Sequence, residues 1–453
     1  MTRSERRAAG SLAAIFGLRM LGMFLILPVF SLYAQHLPGG QDKALVGLAL
    51  GMYGLTQALL MLPFGMASDR WGRKPVIIVG LIIFALGSFL AASASDIYTV
   101  ILGRALQGAG AISAAITALL ADLTREEKRT HAMAMIGGTI ALTFAVSLAG
   151  GPLLYRWIGV PGIFAMTGIL ALLAILVVKF VTPNPGVTAF HSDAQASMGR
   201  LRGVLRDTEL LRLNYGIFAL HAAQMAMFVI VPLALHEAGG LSASSHWQVY
   251  LPVLLGSFVV LVPAIIYAEK YGRMKQVFVA AVALMLLAQI GFSLAMGHFA
   301  EIVAALFAYF VAFNILEASL PSLISKVAPP EAKGTAMGVY NTSQALGLFF
   351  GGAVGGWLAK GWGYSAVFVF CAVLIGFWLV LAKSMRPPLR VKTQMFHIGQ
   401  LDVAAAQMLA ARLKVFAGVE SVTVLADEGV VMLKVSQIGW DEDGVRHALQ
   451  GGV

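Results

Sequence analysis

Apolar residues along most of the chain come in long stretches, and short charged segments separate them. A helix needs about 20 mostly apolar residues to cross a ~30 Å hydrocarbon core. Twelve stretches of that kind stand out: 11–33, 44–67, 75–95, 97–121, 131–155, 160–181, 212–236, 246–268, 276–297, 299–325, 333–359 and 363–383. They predict helices, because an open sheet would leave backbone groups unpaired in lipid. Beyond Pro387-Pro388 the pattern changes to that of a soluble module. Thr393–Ile398 predicts a strand, Val403–Phe416 an amphipathic helix, Ser421–Leu425 and Val430–Val435 a hairpin around Asp427-Glu428-Gly429, and Asp441–Leu449 a second helix. That is the order βαββα, a ferredoxin-like arrangement without a clear last strand. The predicted fold class is an all-α membrane protein of twelve transmembrane helices with a small α+β domain at its C-terminus.

Lys and Arg orient the spans. One set of connections carries Arg70, Arg73 and Lys74; Arg125, Lys128 and Arg129; Arg200, Arg202 and Arg206; Lys270, Arg273 and Lys275; and Lys326 and Lys333. The opposite set holds little beyond Lys43, Arg156 and Lys360. Positive charge collects on the cytoplasmic side, so both termini are expected there. The hydrophilic connection 182–211 divides the chain into a six-span half at 1–181 and another at 212–386, followed by a soluble domain at 391–453. The halves resemble each other as a duplication would require. Asp69-Arg70-Trp71-Gly72-Arg73-Lys74 after span two is echoed by Glu269-Lys270-Tyr271-Gly272-Arg273-Met274 after span eight. After spans four and ten, Leu119, Glu127, Arg129 and Ala132-Met133 match Leu323, Glu331, Lys333 and Ala336-Met337 at an offset of 204, and Gly151 matches Gly355.

Composition sharpens this picture. The 453 residues are 59% hydrophobic and only 12% charged, where soluble domains carry about a quarter charged. The net charge of +10 does not point to nucleic acid, because the cations sit at the ends of apolar runs. The basic start (Arg3, Arg6, Arg7) followed by an apolar run imitates a signal peptide; without a convincing cleavage site it is read as a first span. The single cysteine, Cys371, excludes an intrachain disulfide and any multi-cysteine metal site. No phosphate loop, metal-ligand cluster or nucleophile set supports an enzyme, an ATP-driven pump or a bound cofactor.

Three segments carry candidate chemistry. Gly65-Met66-Ala67-Ser68-Asp69-Arg70-Trp71-Gly72-Arg73-Lys74 lies between spans two and three. The positive-inside rule explains its cations, but not two glycines and an aspartate at fixed spacing. Span four contains Arg104-Ala105-Leu106-Gln107-Gly108-Ala109-Gly110, with Arg104 about 10 Å inside the outer surface at 1.5 Å per residue. A charge so deep is functional by default; the alternative is a snorkelling arginine on a carbonyl. Span five carries Gly138, Ser147, Gly151 and Pro152, read either as a functional pattern or as a kinked span with small residues for close packing.

Together these segments resemble the signatures of the major facilitator superfamily, and the whole layout, tail included, is similar to members placed among the drug:proton antiporters. The resemblance implies two pseudo-symmetric six-helix halves and a gate built from Gly65, Asp69, Arg70, Gly72, Arg73, Lys74 and Asp122. In the family the acid matching Asp69 meets the N-terminal end of span eleven, here near Lys333–Gly334, where the helix dipole favours a carboxylate by up to ~2 kcal/mol. The arginine matching Arg73 pairs with an acid matching Asp122. The resemblance further implies proton transfer at Arg104 and an antiporter pattern at Gly138, Gly151 and Pro152, although Ser147 and Tyr155-Arg156 depart from that pattern. Small metal carriers share the tail's topology, but its first loop, Gly399-Gln400-Leu401-Asp402, has no cysteine. Its unfinished sheet offers an open edge for self-association or for contact with the transporter.

Glu317 is the carboxylate placed well inside a span, where the neutral form is favoured and a proton is taken up easily. It is read as the proton-coupling residue, with an ion pair to Arg19 or a contact to a cationic substrate as alternatives. Arg19, Tyr33, Tyr53, Gln57, His221, Gln224, Asn314, Tyr340 and Asn341 are candidates for the lining of a central cavity, with Asn214, Phe228 and Gln344 beside them; each polar one is otherwise an interhelical hydrogen bond. The expected function is proton-driven efflux of small molecules across a bacterial inner membrane by alternating access. The alternatives are uptake or exchange of a small polar metabolite, and a membrane sensor signalling through the tail.

Overall fold

The computed structural model describes residues 1–184, 198–329, 332–386, 391–398, 402–426, 429–436 and 439–450. The centre of the expected linker, the Glu331 position of the repeat, the Asp427-Glu428 turn and positions 399–401 of the cysteine-free loop lie outside them.

Among the described residues nine helical stretches are long and apolar enough to cross a membrane. Two of them fold back on themselves. Glu126–Leu176 has a non-helical residue at Gly159 (φ 64°) and Lys333–Ser384 one at Gly363 (φ 82°), a conformation that glycine adopts without a Cβ penalty. The neighbours show the reversal. Along span one, Gly17 lies against Thr139 and Leu25 against Gly151, so span five runs parallel to it. Gly22 lies against Thr167 and Ser11 accepts from Thr182, so span six runs antiparallel. In the second half, Phe218, Ala222 and Ala226 meet Gly347, Gly351 and Gly355 in step, whereas Glu237, Tyr215 and Arg212 meet Tyr364, Leu374 and Ser384 in reverse. The first helix, Arg3–Phe24, completes the expected twelve.

Two spans are less regular than their hydropathy suggests. Span one opens after Phe24 and resumes at Phe30–Ala34; Pro28 cannot donate to a carbonyl one turn back. Span four, expected as one helix over 97–121, is two helices, Ile97–Ala109 and Ser113–Leu123. Here the chain packs backbone to backbone: a Cβ on Gly108 would lie 2.1 Å from Tyr53 O, and one on Gly110 2.4 Å from Gly80 O. Span seven, Thr208–Gly239, is buried on nearly every side. Span eight, Trp247–Lys270, leaves Leu255, Val259, Val262 and Ile266 exposed, as a helix facing lipid must.

The halves join mainly from the face opposite the chain ends to just past mid-depth. Lys360 Nζ donates to Asp42 Oδ2 at 2.6 Å, and Lys43 Nζ lies 4.4 Å from the centroid of the Tyr364 ring. Ser31 Oγ donates to Phe228 O at 3.0 Å. Below these, spans two and eleven close to backbone contact: a Cβ on Gly47 would sit 2.1 Å from Gly352 O, and one on Gly51 2.8 Å from Phe349 O. Phe144 packs on Phe310 and Phe313, and Thr342 Oγ1 reaches Met61 Sδ at 3.8 Å.

The tail folds as expected. Strands β1 (Val391–His397), β2 (Val419–Leu425) and β3 (Val430–Ser436) form an antiparallel sheet in the order β1-β3-β2. Helices Val403–Leu413 and Glu442–Gln450 bury Leu409, Leu413, Val445 and Ala448 against Val431, Leu433 and Val435. Among the described residues there is no fourth strand. Lys434 Nζ donates to Lys326 O at 3.0 Å and Ala328 O at 2.9 Å, the carbonyls that end the span-ten helix Phe299–Val327.

Candidate functional site

The turn between spans two and three is centred on Arg73. Its side chain is 4% exposed, and its Nε donates to Asp122 Oδ2 at 3.1 Å. Its Nη1 donates to Ser68 Oγ at 2.9 Å and also to Asp69. Gly72 supplies the positive φ (93°) that turns span two into span three, and Gly65 leaves room beside Ala114. Lys74 Nζ donates to Thr182 O at 2.6 Å and Asn184 Oδ1 at 2.7 Å, tying the turn to the end of span six, while Arg70 is exposed. The structure thus brings Arg73 and Asp122 together, and the partner of the Asp69 carboxylate is Arg73.

Two arginines are buried at mid-depth in the N-terminal half. Arg104 Nη1 donates to Gln107 Oε1 at 2.8 Å, and Gln107 Nε2 in turn to Ser88 Oγ at 2.8 Å. Arg19 Nη1 donates to Ser113 Oγ at 2.7 Å. Tyr53 joins them, its ring centroid 4.8 Å from the Arg104 guanidinium carbon and 5.7 Å from that of Arg19. Gln57 is buried one turn beyond Tyr53. The alternative ion pair between Glu317 and Arg19 is not formed: Arg19 turns to Ser113, on its own side of the molecule.

In the C-terminal half Glu317 faces His221, Oε2 to Nε2 at 3.8 Å. His221 Nδ1 lies 3.2 Å from Ile217 O. A carbonyl only accepts, so Nδ1 carries the proton of the neutral ring and Nε2 is left as an acceptor. Gln344 Nε2 donates to it at 2.7 Å. Glu317 is half-buried, and its Oε2 is buried without a hydrogen-bond partner. Asn314 Nδ2 donates to Ser257 Oγ at 2.7 Å, and Tyr309 stacks on Phe313 beside His221. Tyr340, Gln224 and Asn214 are buried with polar atoms that find no partner, whereas Tyr33 and Asn341 are half-buried.

On span five, a Cβ on Gly151 would lie 2.4 Å from Leu25 O, so close packing requires this glycine. Gly138 has nothing within 4 Å of a built Cβ, so packing does not explain it. Pro152 lies inside the helix, and the Ser147 hydroxyl is buried without a partner. Sequence reasoning missed Ser113, Ser88 and Tyr309. A signal for Ser113 existed, since the 204-residue offset of the repeat carries Ser113 onto Glu317. The Arg19–Ser113 contact joins spans one and four, and His221–Glu317 joins the equivalent spans seven and ten.

Twelve spans in two related halves, with charged groups held at mid-depth on both sides of the interface, define a secondary transporter. The family model of the Major Facilitator Superfamily matches residues 12–347 and 243–401, and the chain belongs to that family. It is 45% identical over 435 residues to the inner membrane transport protein YajR of Escherichia coli (strain K12), covering 96% of this chain and 95% of that one. It is 28% identical over 356 residues to the multidrug resistance protein MdtH of Proteus mirabilis (strain HI4320), covering 76% and 84%. Among solved structures it shares the fold of a bacterial homologue of the human lysosomal transporter Spinster, with a TM-score of 0.66 at 13% identity over 85% of this chain and 98% of that one. It shares it also with human MFSD10, with a TM-score of 0.62 at 18% identity over 84% and 100%.

Proposed function

We propose that this transporter exports small molecules in exchange for protons, with Glu317 carrying the proton. The observation that carries this reading is a carboxylate at mid-depth whose buried oxygen has no hydrogen-bond partner, facing a histidine at 3.8 Å. Such a group is costly when ionised and is relieved by taking up a proton. Likeness to a protein named for multidrug resistance supports the direction of transport.

In this reading the chain sits in a bacterial-type inner membrane with both termini cytoplasmic, because the basic connections share the side of the chain ends. Residues 1–181 and 212–386 are then the rocking halves, 182–211 their linker and 391–453 the cytoplasmic domain. The glycine seam of spans two and eleven is the outer gate in its closed state. Asp69, held by Arg73 in this state, is free to take the N-terminal end of span eleven when the inner side closes. Arg104 serves as a second charged group of the proton path, and Gly138, Gly151 and Pro152 let span five bend. Gln57, Gln224, Tyr340 and Asn341 line the path between the halves.

The test is substrate-induced proton movement in proteoliposomes enclosing a pH dye. Wild type is compared with Glu317→Gln across lipophilic cations, organic anions and small polar metabolites. Proton release that appears with a compound and vanishes in the variant is the expected result. Compound flux with no proton movement would instead indicate exchange or facilitated uptake. The contact of Lys434 with the end of span ten favours a second reading, a sensor signalling through the tail, for which compounds would bind without flux.

A further inference from the structure

Arg19 and Arg104 are 2% and 0% exposed, and neither takes part in an ion pair among the described residues. Each spends one nitrogen, Nη1, on a neutral side chain: Ser113 Oγ at 2.7 Å and Gln107 Oε1 at 2.8 Å. On both residues the nitrogens left buried without an acceptor are Nε and Nη2. These two form one edge of the guanidinium plane, the edge that grips a carboxylate through two parallel hydrogen bonds. Both groups lie over the same ring, that of Tyr53, whose hydroxyl is also buried without a partner.

Two like charges in an apolar interior repel, and a ring face offsets little of that cost. Lysine or histidine in this position would relieve it by losing a proton, but arginine stays charged. An anion would supply both the missing acceptors and the opposite charge, and the described protein residues bring none to these nitrogens.

We propose that Arg19 and Arg104 form an anion subsite for the transported molecule, which is an organic compound bearing a carboxylate. The carboxylate takes the free edges of the two guanidinium groups, and the organic body lies on Tyr53. Gln57 Oε1, buried without a partner one helical turn away, accepts a hydroxyl or amine of the same molecule. The subsite is sealed in this conformation and opens as the halves separate. This inference rests on the transport reading and narrows its substrate class. Lipophilic cations, which two fixed positive charges repel, are excluded from the subsite.

Thermal unfolding of the full-length protein in detergent tests it with three simple aromatic probes. Benzoate, benzamide and benzylammonium are titrated in chloride buffer at fixed ionic strength. Benzoate is expected to raise the midpoint saturably, benzamide to bind about tenfold more weakly or worse because it forfeits the charge-assisted bonds, and benzylammonium to give no saturable rise. In Arg19→Gln and Arg104→Gln the benzoate effect should disappear, and Arg104→Lys should restore only part of it. Benzylammonium matching benzoate, saturation by chloride with no further gain from benzoate, or a benzoate response unchanged in both glutamine variants would each overturn the proposal. The wild-type titration alone decides if the variants do not fold. Compound-driven proton flux that survives such a failure leaves the transport reading standing, and loss of both removes both.

Discussion

The seam between spans two and eleven makes a quantitative prediction about the conformational balance. Gly47 faces Gly352 so closely that a built Cβ lies 2.1 Å from its carbonyl oxygen and 2.9 Å from Gly356 Cα. Both obstacles are backbone, so no rotamer change relieves the clash, and the helices must part by an ångström or more. Overpacking of this kind costs about 1–3 kcal/mol in the closed-seam state and nothing where the halves are apart. Gly47→Ala should therefore shift the equilibrium toward separation by roughly five- to 150-fold. The assay is cross-linking of cysteines at positions 42 and 360, whose native side chains touch at 2.6 Å, by a bifunctional thiol reagent long enough to replace the lysine stem, after replacement of the buried Cys371. The cross-linking rate should fall in Gly47→Ala, by at most that factor, because it follows the population of the closed state. Gly361→Ala, where a Cβ meets nothing within 4 Å, is the control and should leave it unchanged. An unchanged rate in Gly47→Ala would refute the argument that backbone contact holds this side shut.

Other perturbations follow from named contacts. Asp122→Asn removes the charge of one of three acceptors of the buried Arg73 and should cost about 2 kcal/mol. Combined with Arg73→Gln, the losses should fall short of additivity by about 1 kcal/mol or more in chemical unfolding; additive losses would mean that the pair is not coupled. The Arg125 guanidinium and the Thr2 amide hold the Glu5 carboxyl at about 2, below its usual 4.5. A depressed carboxylate contributes stability that is fully present above its unfolded value and is lost as pH falls through its folded value. The midpoint difference between wild type and Glu5→Gln should thus be constant above pH 4.5 and shrink between there and about pH 2. Lys434→Met deletes two charge-assisted bonds to the end of span ten. Amide exchange in the last turn of that helix should rise by roughly tenfold or more, and unchanged protection would show that the tail does not brace it.

The twelve spans were legible because lipid imposes a single rule on length and polarity, and the chain obeys it from Leu12 to Ala382. The tail's βαββα order was legible from alternation and turn residues. Arg73 and Asp122, which the family resemblance pairs, do meet in the structure. Irregularity inside the spans was not legible: the breaks after Phe24 and at Gly110 leave hydropathy unchanged, and Pro28 alone does not say where a helix resumes. Partner choice was less legible still. Arg19 and Glu317 are each conspicuous as charges at mid-depth, and pairing them was reasonable from sequence. The structure gives Arg19 to Ser113 and sets Glu317 before His221, because spans one and four pack within one half and spans seven and ten within the other. Hydropathy and charge along the chain suffice to say which residues lie in the membrane and which are too polar to be there idly, since burial of each side chain in lipid is a local cost. Which of them meet, and on which side the halves close, depends on how the helices pack, because glycine-to-glycine backbone contact joins residues some 300 positions apart.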